Sequence, residues 1–424
     1  MAQTYPPCDT LVLGAGISGL VAARALAAAG QRVLVLEARD RIGGRILTKH
    51  RFEHTVELGA EFLHGTPPEL WSLVREAGLE SHERSGSRFL FEQGELRARD
   101  ITSSNAFHLF DELEHYDGPD LSFAEFLDQR SVSDADRAQL IGFVEGFNAA
   151  DHQIISARSL GMQQKAEEEI EGYRAFALRD GYAGLAHYLA VKIAEYGGHI
   201  RLSSPVQAIR WLPESVELAL PEATVTAPRV LITLPLGVLQ AGAVPITPAP
   251  EEILIHAARL RMGHACRFTL VFSEPFWVNR APGLSFLSAI DELPRVWWTQ
   301  HPSAGSALTG WSGGPRSAEL ATLTPEQLTA HALETLARIF SLRATWLRSI
   351  LLAYESHNWS ADPYSLGAYS YVAAGGLDAS EQMTRPVADT LYFAGEHTDT
   401  TGHWGTVHAA IRSGLRAARQ ILES

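Results

Sequence analysis

Thr10-Leu11-Val12-Leu13 runs directly into Gly14-Ala15-Gly16-Ile17-Ser18-Gly19, and an alanine-rich stretch follows as far as Gly30. An apolar run, a G-x-G-x-x-G loop and then helix-forming residues are the order of a dinucleotide-binding strand–turn–helix unit. Gly14 makes the turn, Gly16 lets the backbone approach a pyrophosphate, and Gly19 allows the helix to pack on the sheet. Ala15, Ile17 and Ser18 then lie at a helix N-terminus, whose amides face phosphate charge. A second apolar run, residues 32–36, ends at Glu37, close to the ~20-residue offset at which a carboxylate meets a ribose hydroxyl. The chain is expected to bind a dinucleotide.

After Glu37 the sequence reads Ala38-Arg39-Asp40-Arg41-Ile42-Gly43-Gly44-Arg45. The glycine pair lets backbone lie against a ligand, and Arg45 offers a planar fork suited to phosphate oxygens. Far downstream, residues 390–394 read as a short strand, followed by Gly395-Glu396 and an amphipathic helix. In that helix Val407, Ala410, Ile411, Gly414, Leu415, Ala418 and Ile421 recur at helical spacing. A late strand–Gly–Glu–helix returning to an N-terminal nucleotide fold suits a long, extended cofactor such as FAD.

These residues resemble a family. E-x-R-x-R-x-G-G-R from Glu37 to Arg45, Val56-Glu57-Leu58-Gly59-Ala60-Glu61-Phe62-Leu63-His64-Gly65 and Phe393-Ala394-Gly395-Glu396-His397-Thr398 are similar to blocks of the flavin-containing amine oxidases. That group includes monoamine, polyamine and L-amino-acid oxidases and the lysine-specific histone demethylases. Leu260-Arg261-Met262-Gly263, Pro275-Phe276-Trp277 and the stretch from Trp359 to Val372 extend the resemblance over nearly the whole chain, with residues 65–180 matching only loosely. It implies an α/β fold: a Rossmann-type FAD-binding domain, glutathione-reductase-like, interleaved with an α+β substrate-binding domain of mixed sheet and helices. The order of blocks divides the chain into residues 1–66, 180–250 and 376–424 for FAD, and 67–179 and 251–375 for substrate.

Composition agrees. A length of 424 residues can hold two interleaved domains. The net charge of −14, with no basic stripe, argues against a nucleic-acid partner. No apolar run reaches the ~18 residues that span a bilayer, and no signal-peptide pattern opens the chain. Two distant cysteines, Cys8 and Cys266, suggest no disulfide framework. The expectation is a cytoplasmic enzyme off the membrane, of undetermined oligomeric state. Residues 67–179 read as mostly helical, with helices at 68–77, 122–130 and 134–147. Strands are expected at 199–202, 205–212, 230–233, 267–272 and 296–299, and a helix at 325–340. The acidic run 167–171 reads as a solvated helix face.

The resemblance also implies site roles. Gly59, Ala60 and Glu61 would pass the flavin, Val206 would lie along the adenine, and Glu396 would hold the ribityl or phosphate region. Trp359 would pack near the isoalloxazine, and Thr406 and Val407 would start a helix aimed at the flavin edge where negative charge develops. Tyr369 matches one of two aromatics that orient the amine. The second position is Thr406, with Trp404 two residues earlier, so the cage is incomplete or rebuilt. Ala368 stands where some members carry a cysteine bonded to flavin, so FAD is expected to be non-covalent.

The largest departure is Arg267, where the family pattern has lysine. Arginine is bulkier and no base near neutral pH. Two roles compete for it: pairing with a substrate carboxylate over the flavin, or pairing with Glu61 or another acid and only keeping reduced flavin poised. Glu61 and His64 are candidates for the substrate channel. His403 and His408 read as lying off one helix face, and no metal is expected. The function implied is FAD-dependent oxidation of a mono- or polyamine, with O2 as acceptor. An amino-acid oxidase or dehydrogenase, a flavin desaturase, and an FAD-binding protein of little catalysis remain as alternatives.

Overall fold

The structure is a computed structural model that describes residues 5–98 and 108–424. Its first sheet is entirely parallel. The strands run in the order His199–Arg201, Val33–Leu36, Thr10–Leu13, Arg229–Ile232 and Leu391–Phe393. The three central strands are apolar at nearly every position because both faces are covered. On one face pack the helices Ile17–Ala28, Ala183–Glu195 and Val407–Glu423, with Leu20, Leu189 and Ile411 in a shared core. On the other, Leu11, Leu34 and Val230 meet a four-stranded sheet through Ile209, Val216 and Leu218.

A seven-stranded mixed sheet forms the second layer. Its order is Leu351–Ser356, Ala265–Phe272, Ala307–Gly313, Val296–Thr299, Leu284–Ala289, Ser87–Glu92 and Glu95–Ala98. Along Ala265–Phe272 the side chains alternate. Phe268, Leu270 and Phe272 enter the core beneath the helix Pro325–Phe340, while Arg267 points to the other face, into a cavity. The helix starts at Thr324, whose hydroxyl and Gln327 form a reciprocal cap, with proline at its first position. The helices Phe123–Asp128, Asp134–Asn148 and Ala157–Glu169 share a smaller core around Phe123, Phe126 and Leu160.

Two expectations are corrected. Residues 67–179 are not mostly helical throughout, because a hairpin at Ser87–Glu92 and Glu95–Ala98 extends the mixed sheet. Phe89 and Phe91 alternate into the core, and Gln93 and Gly94, both at positive φ, close the turn. The strand expected from 205 begins only at Ala208; Pro205 has no amide to offer a ladder. No helix among the described residues is long and apolar enough to cross a membrane.

Candidate active site

One continuous cavity of about 1490 Å³ runs from the ends of the strands Thr10–Leu13 and Val33–Leu36 to the inner face of the mixed sheet. That exceeds the ~300–1,000 Å³ of ordinary small-molecule pockets. At the sheet end two turns are clamped together. Gly43 N–H donates to Ala15 O at 2.8 Å, and a Cβ on Gly44 would stand 3.1 Å from Gly16 Cα. Gly14, at φ +107°, lies so close to Thr233 Oγ1 that a Cβ would be 2.7 Å away. The helix Ile17–Ala28 opens from Gly16 with no side-chain cap and no acid in its first turn. Its first amides are left to an anion.

Glu37 is buried, and its carboxylate accepts from Ala15 N–H at 2.7 Å and Arg39 N–H at 2.9 Å. It therefore ties the glycine loop to the next turn while lining the cavity beside Ala38. Arg39 reaches Asp362 at 2.7 Å and Ser365 at 3.0 Å. Ser18 turns its hydroxyl to Ser413 at 3.1 Å, and Gly19 fits against Gly14 O, which a Cβ would meet at 2.1 Å. Val206 lines the same end from irregular chain.

Midway along the cavity Arg45 donates to Glu396 at 2.8 Å and to Ala368 O at 2.9 Å. Glu396 also accepts from Ser370 Oγ at 2.6 Å and Gly405 N–H at 3.0 Å. Burial alone would raise its carboxyl, but the Arg45 guanidinium, His397 and the Ser370 bond hold it below the usual range. Gly395, at φ +148°, makes the turn into it. Thr406 caps the last helix, accepting from Ala409 N–H at 3.1 Å. Among the described residues the amides of Val407 and His408 have no such partner. Trp359 donates to Leu58 O at 2.7 Å and lies with Gly59 and Ala60 on the cavity wall.

At the mixed-sheet end Arg267 takes the second of its two expected roles. It is an ion-pair partner of Glu61, and its Nη1 donates to Gly59 O at 2.5 Å. A second guanidinium, Arg84, lies 3.6 Å from the same carboxylate with its side chain only 2% exposed. Burial pulls Arg84 below the usual arginine range, against the attraction of Glu61. Trp298 Nε1 donates to Glu61 at 3.0 Å, and Arg267 lies 5.4 Å over the Trp298 ring. One carboxylate is thus shared by two cations, and the cluster carries a formal net charge of +1.

The aromatic wall differs from the one expected. Tyr369 stacks at 6.4 Å and 7° on Trp311, and its ring also lies against Gly405 beside Thr406, where a Cβ would stand 2.8 Å from it. Trp404 donates to Ser380 at 2.9 Å and is packed in the core behind the nucleotide sheet, though it too reaches the cavity. Tyr369 OH donates to Phe147 O at 2.6 Å, and burial raises its phenol above the usual range. His64 lines the cavity beside Phe62 and Phe147. Burial holds its imidazole down to about 4, so it is neutral.

His403 and His408 are also placed differently from expectation. His403 lies in the turn before Thr406, not on the helix, and the two rings meet edge-on at 4.7 Å. With Glu167 they offer ligand atoms within 4.8 Å of one another. Hydrogen bonding speaks against a metal there. His403 Nε2 lies 3.1 Å from the Ala166 carbonyl, which can only accept, and Nδ1 receives Arg412 at 2.8 Å. Neither nitrogen of His403 keeps a free lone pair.

Arg84, Trp298, Trp311 and Glu167 are the site residues that sequence reasoning did not single out. The strand Val296-Trp297-Trp298-Thr299 was the one signal for Trp298, and Trp311 had none.

The sequence model of the flavin containing amine oxidoreductases matches residues 17–422. The chain belongs to that family. It is 29% identical to polyamine oxidase 3 of Oryza sativa subsp. japonica, over 97% of this chain and 88% of that one. It is 28% identical to human lysine-specific histone demethylase 2, over 99% of this chain and 54% of that one. A solved structure of putrescine oxidase bound to putrescine superimposes with a TM-score of 0.85 at 22% identity, covering 99% and 100% of the two chains. The fold is therefore that of the family's flavoenzymes, and the enzyme is an FAD-dependent amine oxidoreductase. The cavity fits FAD: a paired-glycine cradle with no room for side chains, an uncapped helix facing it, and length for an extended dinucleotide.

Proposed function

We propose that this enzyme oxidises the C–N bond of a mono- or polyamine to an imine, which water hydrolyses, and that O2 accepts the electrons to give H2O2. When bound, FAD supplies the acceptor for the hydride lost from the carbon beside nitrogen. The amides around Gly14–Gly19 would hold its pyrophosphate, with Glu37, Ala38 and Arg39 at the ribose and Val206 at the adenine. Gly43, Gly44, Arg45, Gly59, Ala60, Trp359, Gly395 and Glu396 would hold the middle. The free amides of Val407 and His408, behind the Thr406 cap, offer positive potential to developing negative charge. Ala368 carries no thiol, and no cysteine lines the cavity among the described residues, which supports non-covalent binding.

The observation that carries the amine reading is the reacting end of the cavity. Tyr369 and Trp311 present a parallel aromatic pair there, which can orient an amine and exclude water. The net-positive Arg84–Glu61–Arg267 cluster on the adjoining wall disfavours a protonated nitrogen, so the substrate is held as the free base, with its lone pair able to assist hydride loss. Arg267 has one Nη on Gly59 O and the other on Glu61. Only its Nε is left without a partner, so it offers no free pair of terminal nitrogens to a substrate carboxylate, which weighs against an amino acid.

The domain division is part of the proposal. Every strand of the parallel sheet falls in residues 1–66, 180–250 and 376–424, and every strand of the seven-stranded sheet in 67–179 and 251–375. A cytoplasmic location is proposed from two free cysteines, Cys8 and Cys266, whose thiols burial pushes up to about 11 and about 12. The test is anaerobic mixing of flavin-loaded enzyme with a panel of amines and amino acids. Loss of the flavin's visible absorbance is expected with amines. Bleaching by amino acids alone, or by nothing in the panel, would overturn the reading.

A further inference from the structure

The aromatic pair is held from one helix end. Trp311 Nε1 donates to Gly146 O at 2.8 Å and Tyr369 OH to Phe147 O at 2.6 Å, so both rings hang on adjacent carbonyls in the last turn of Asp134–Asn148. Carbonyls there have no acceptor role inside the helix. One turn earlier, about 6 Å back along the axis, Gly142 faces a guanidinium: a Cβ there would stand 2.3 Å from Arg295 Nη1. Phe143, Gly146 and Val296, the register partner of Trp311, line the cavity over that interval. A Cβ on Gly146 would meet nothing within 4 Å. The interval is apolar and open.

Arg295, which also lines the cavity, is a cation the rest of the site leaves uncommitted. Its Nε donates to Ile290 O at 3.2 Å, and among the described residues neither Nη group has a hydrogen bond or an ion pair. Glu145 and Asp291, whose charges it feels, are engaged elsewhere, with His152 at 2.7 Å and the Gln93 amide at 3.0 Å. Arg267 differs, because both its terminal nitrogens are taken. Ser288 stands opposite Val296 in the register and lines the cavity, and its hydroxyl has no hydrogen bond among the described residues. A guanidinium fork and a hydroxyl together suit a carboxylate. An α-amino acid carries its carboxylate beside the reacting carbon, where Arg267 is already engaged. We infer that Arg295, with Ser288, receives a carboxylate at the far end of an amine that reacts at the aromatic wall, which makes the substrate an ω-amino acid. The ~6 Å interval and the reach of the two donors suit a chain of about four to six carbons. The inference rests on the amine reading above and narrows it.

The test compares 5-aminopentanoate, 5-aminopentanamide and pentylamine, which share one reacting end. Anaerobic stopped-flow reduction of flavin-loaded enzyme gives a Kd and a limiting rate for each. Wild type should hold 5-aminopentanoate about 10- to 100-fold more tightly than pentylamine, the factor expected of one charge-assisted contact. The amide should fall between them, and pentylamine should still reduce the flavin at higher concentration. Arg295→Gln should bring the ratio of Kd values close to one with pentylamine unchanged, and Arg295→Lys should keep part of it. Ser288→Ala should weaken 5-aminopentanoate about two- to tenfold. Arg316→Gln, which removes a neighbouring cation that lines a second pocket and not this cavity, should keep the whole ratio. A wild-type ratio near one, or an unchanged ratio in Arg295→Gln, would overturn the inference. If Arg295→Gln does not retain flavin, the wild-type ratio and Arg295→Lys decide the matter. Reduction by 5-aminopentanoate and pentylamine with equal Kd removes the carboxylate site but leaves amine oxidation standing. Failure of all three to reduce the flavin removes the amine reading itself.

Discussion

Removing Glu61 should cost more stability than removing Arg267, although Arg267 is the larger side chain and the more deeply buried. The arithmetic is electrostatic. Glu61 is the only carboxylate paired with either Arg84 or Arg267 among the described residues. Glu61→Gln takes the cluster from +1 to +2 and leaves two guanidinium groups facing each other with side chains 2% and 6% exposed. At the 3.6 Å between Arg84 and Glu61, the attraction lost is about 5 kcal/mol with an effective dielectric constant near ~20. Breaking a buried pair from one side typically costs ~3–5 kcal/mol. Arg267→Gln instead leaves the Arg84–Glu61 pair intact and the cluster neutral. Its cost is the bond to Gly59 O and some packing against Trp298, about 1–3 kcal/mol. Urea unfolding followed by tryptophan fluorescence would measure both, and Trp298, bonded to Glu61, reports from inside the cluster. The double variant should be less destabilised than the sum of the two. If Glu61→Gln loses less than Arg267→Gln, or less than about 1 kcal/mol, the two guanidiniums are not sharing that carboxylate and the charge argument fails.

Three further outcomes are expected. Glu57 is buried, and desolvation pushes its carboxyl from 4.5 to about 7, against bonds from Tyr182 N–H and Thr48. Below the unfolded value both states are protonated and nothing is lost. As pH rises from there to about 7 the unfolded chain releases its proton first, so stability falls by up to about 3 kcal/mol; Glu57→Gln should abolish that fall, and identical pH–stability curves for the two proteins would refute it. Arg45→Ala leaves the buried Glu396 without its cation and should weaken flavin retention by about 1.5–3 kcal/mol, read as flavin in the ultrafiltrate; full occupancy would mean the cofactor's middle lies elsewhere. Trp311→Ala removes the partner of Tyr369 and should weaken amine binding about three- to tenfold with the flavin spectrum unchanged, whereas an unaltered dissociation constant would take the amine away from that wall.

What was legible in the sequence was what neighbouring backbone imposes. Gly14–Gly19, Glu37 and the Gly43-Gly44-Arg45 turn are close in the chain, and their spacing alone places them on one strand–helix–strand unit and the turn that follows it. The parallel strands were legible because burial on both faces makes them continuously apolar. The rest depends on which strand lies beside which. Arg267 stands opposite Trp311, and Trp298 opposite Thr309, only because of the order of the mixed sheet. Arg84 reaches Glu61 from a turn that carries no pattern of its own. Glu167 reads as part of a solvated run until the helix stops at Glu169 and Gly172 lets the carboxylate fold inward.

These illegible residues explain the one that stood out. An arginine in place of the family's lysine looks, in isolation, like a gain of bulk at the same charge. In the fold it joins a second buried arginine on a single acid, and the excess positive charge is a property of three residues scattered over some two hundred positions. A cationic substrate could not settle against that cluster with its reacting nitrogen protonated. It could settle with that nitrogen neutral. With its two terminal nitrogens held by Gly59 O and Glu61, the arginine that first suggested an anionic substrate fits an amine whose reacting nitrogen is neutral better.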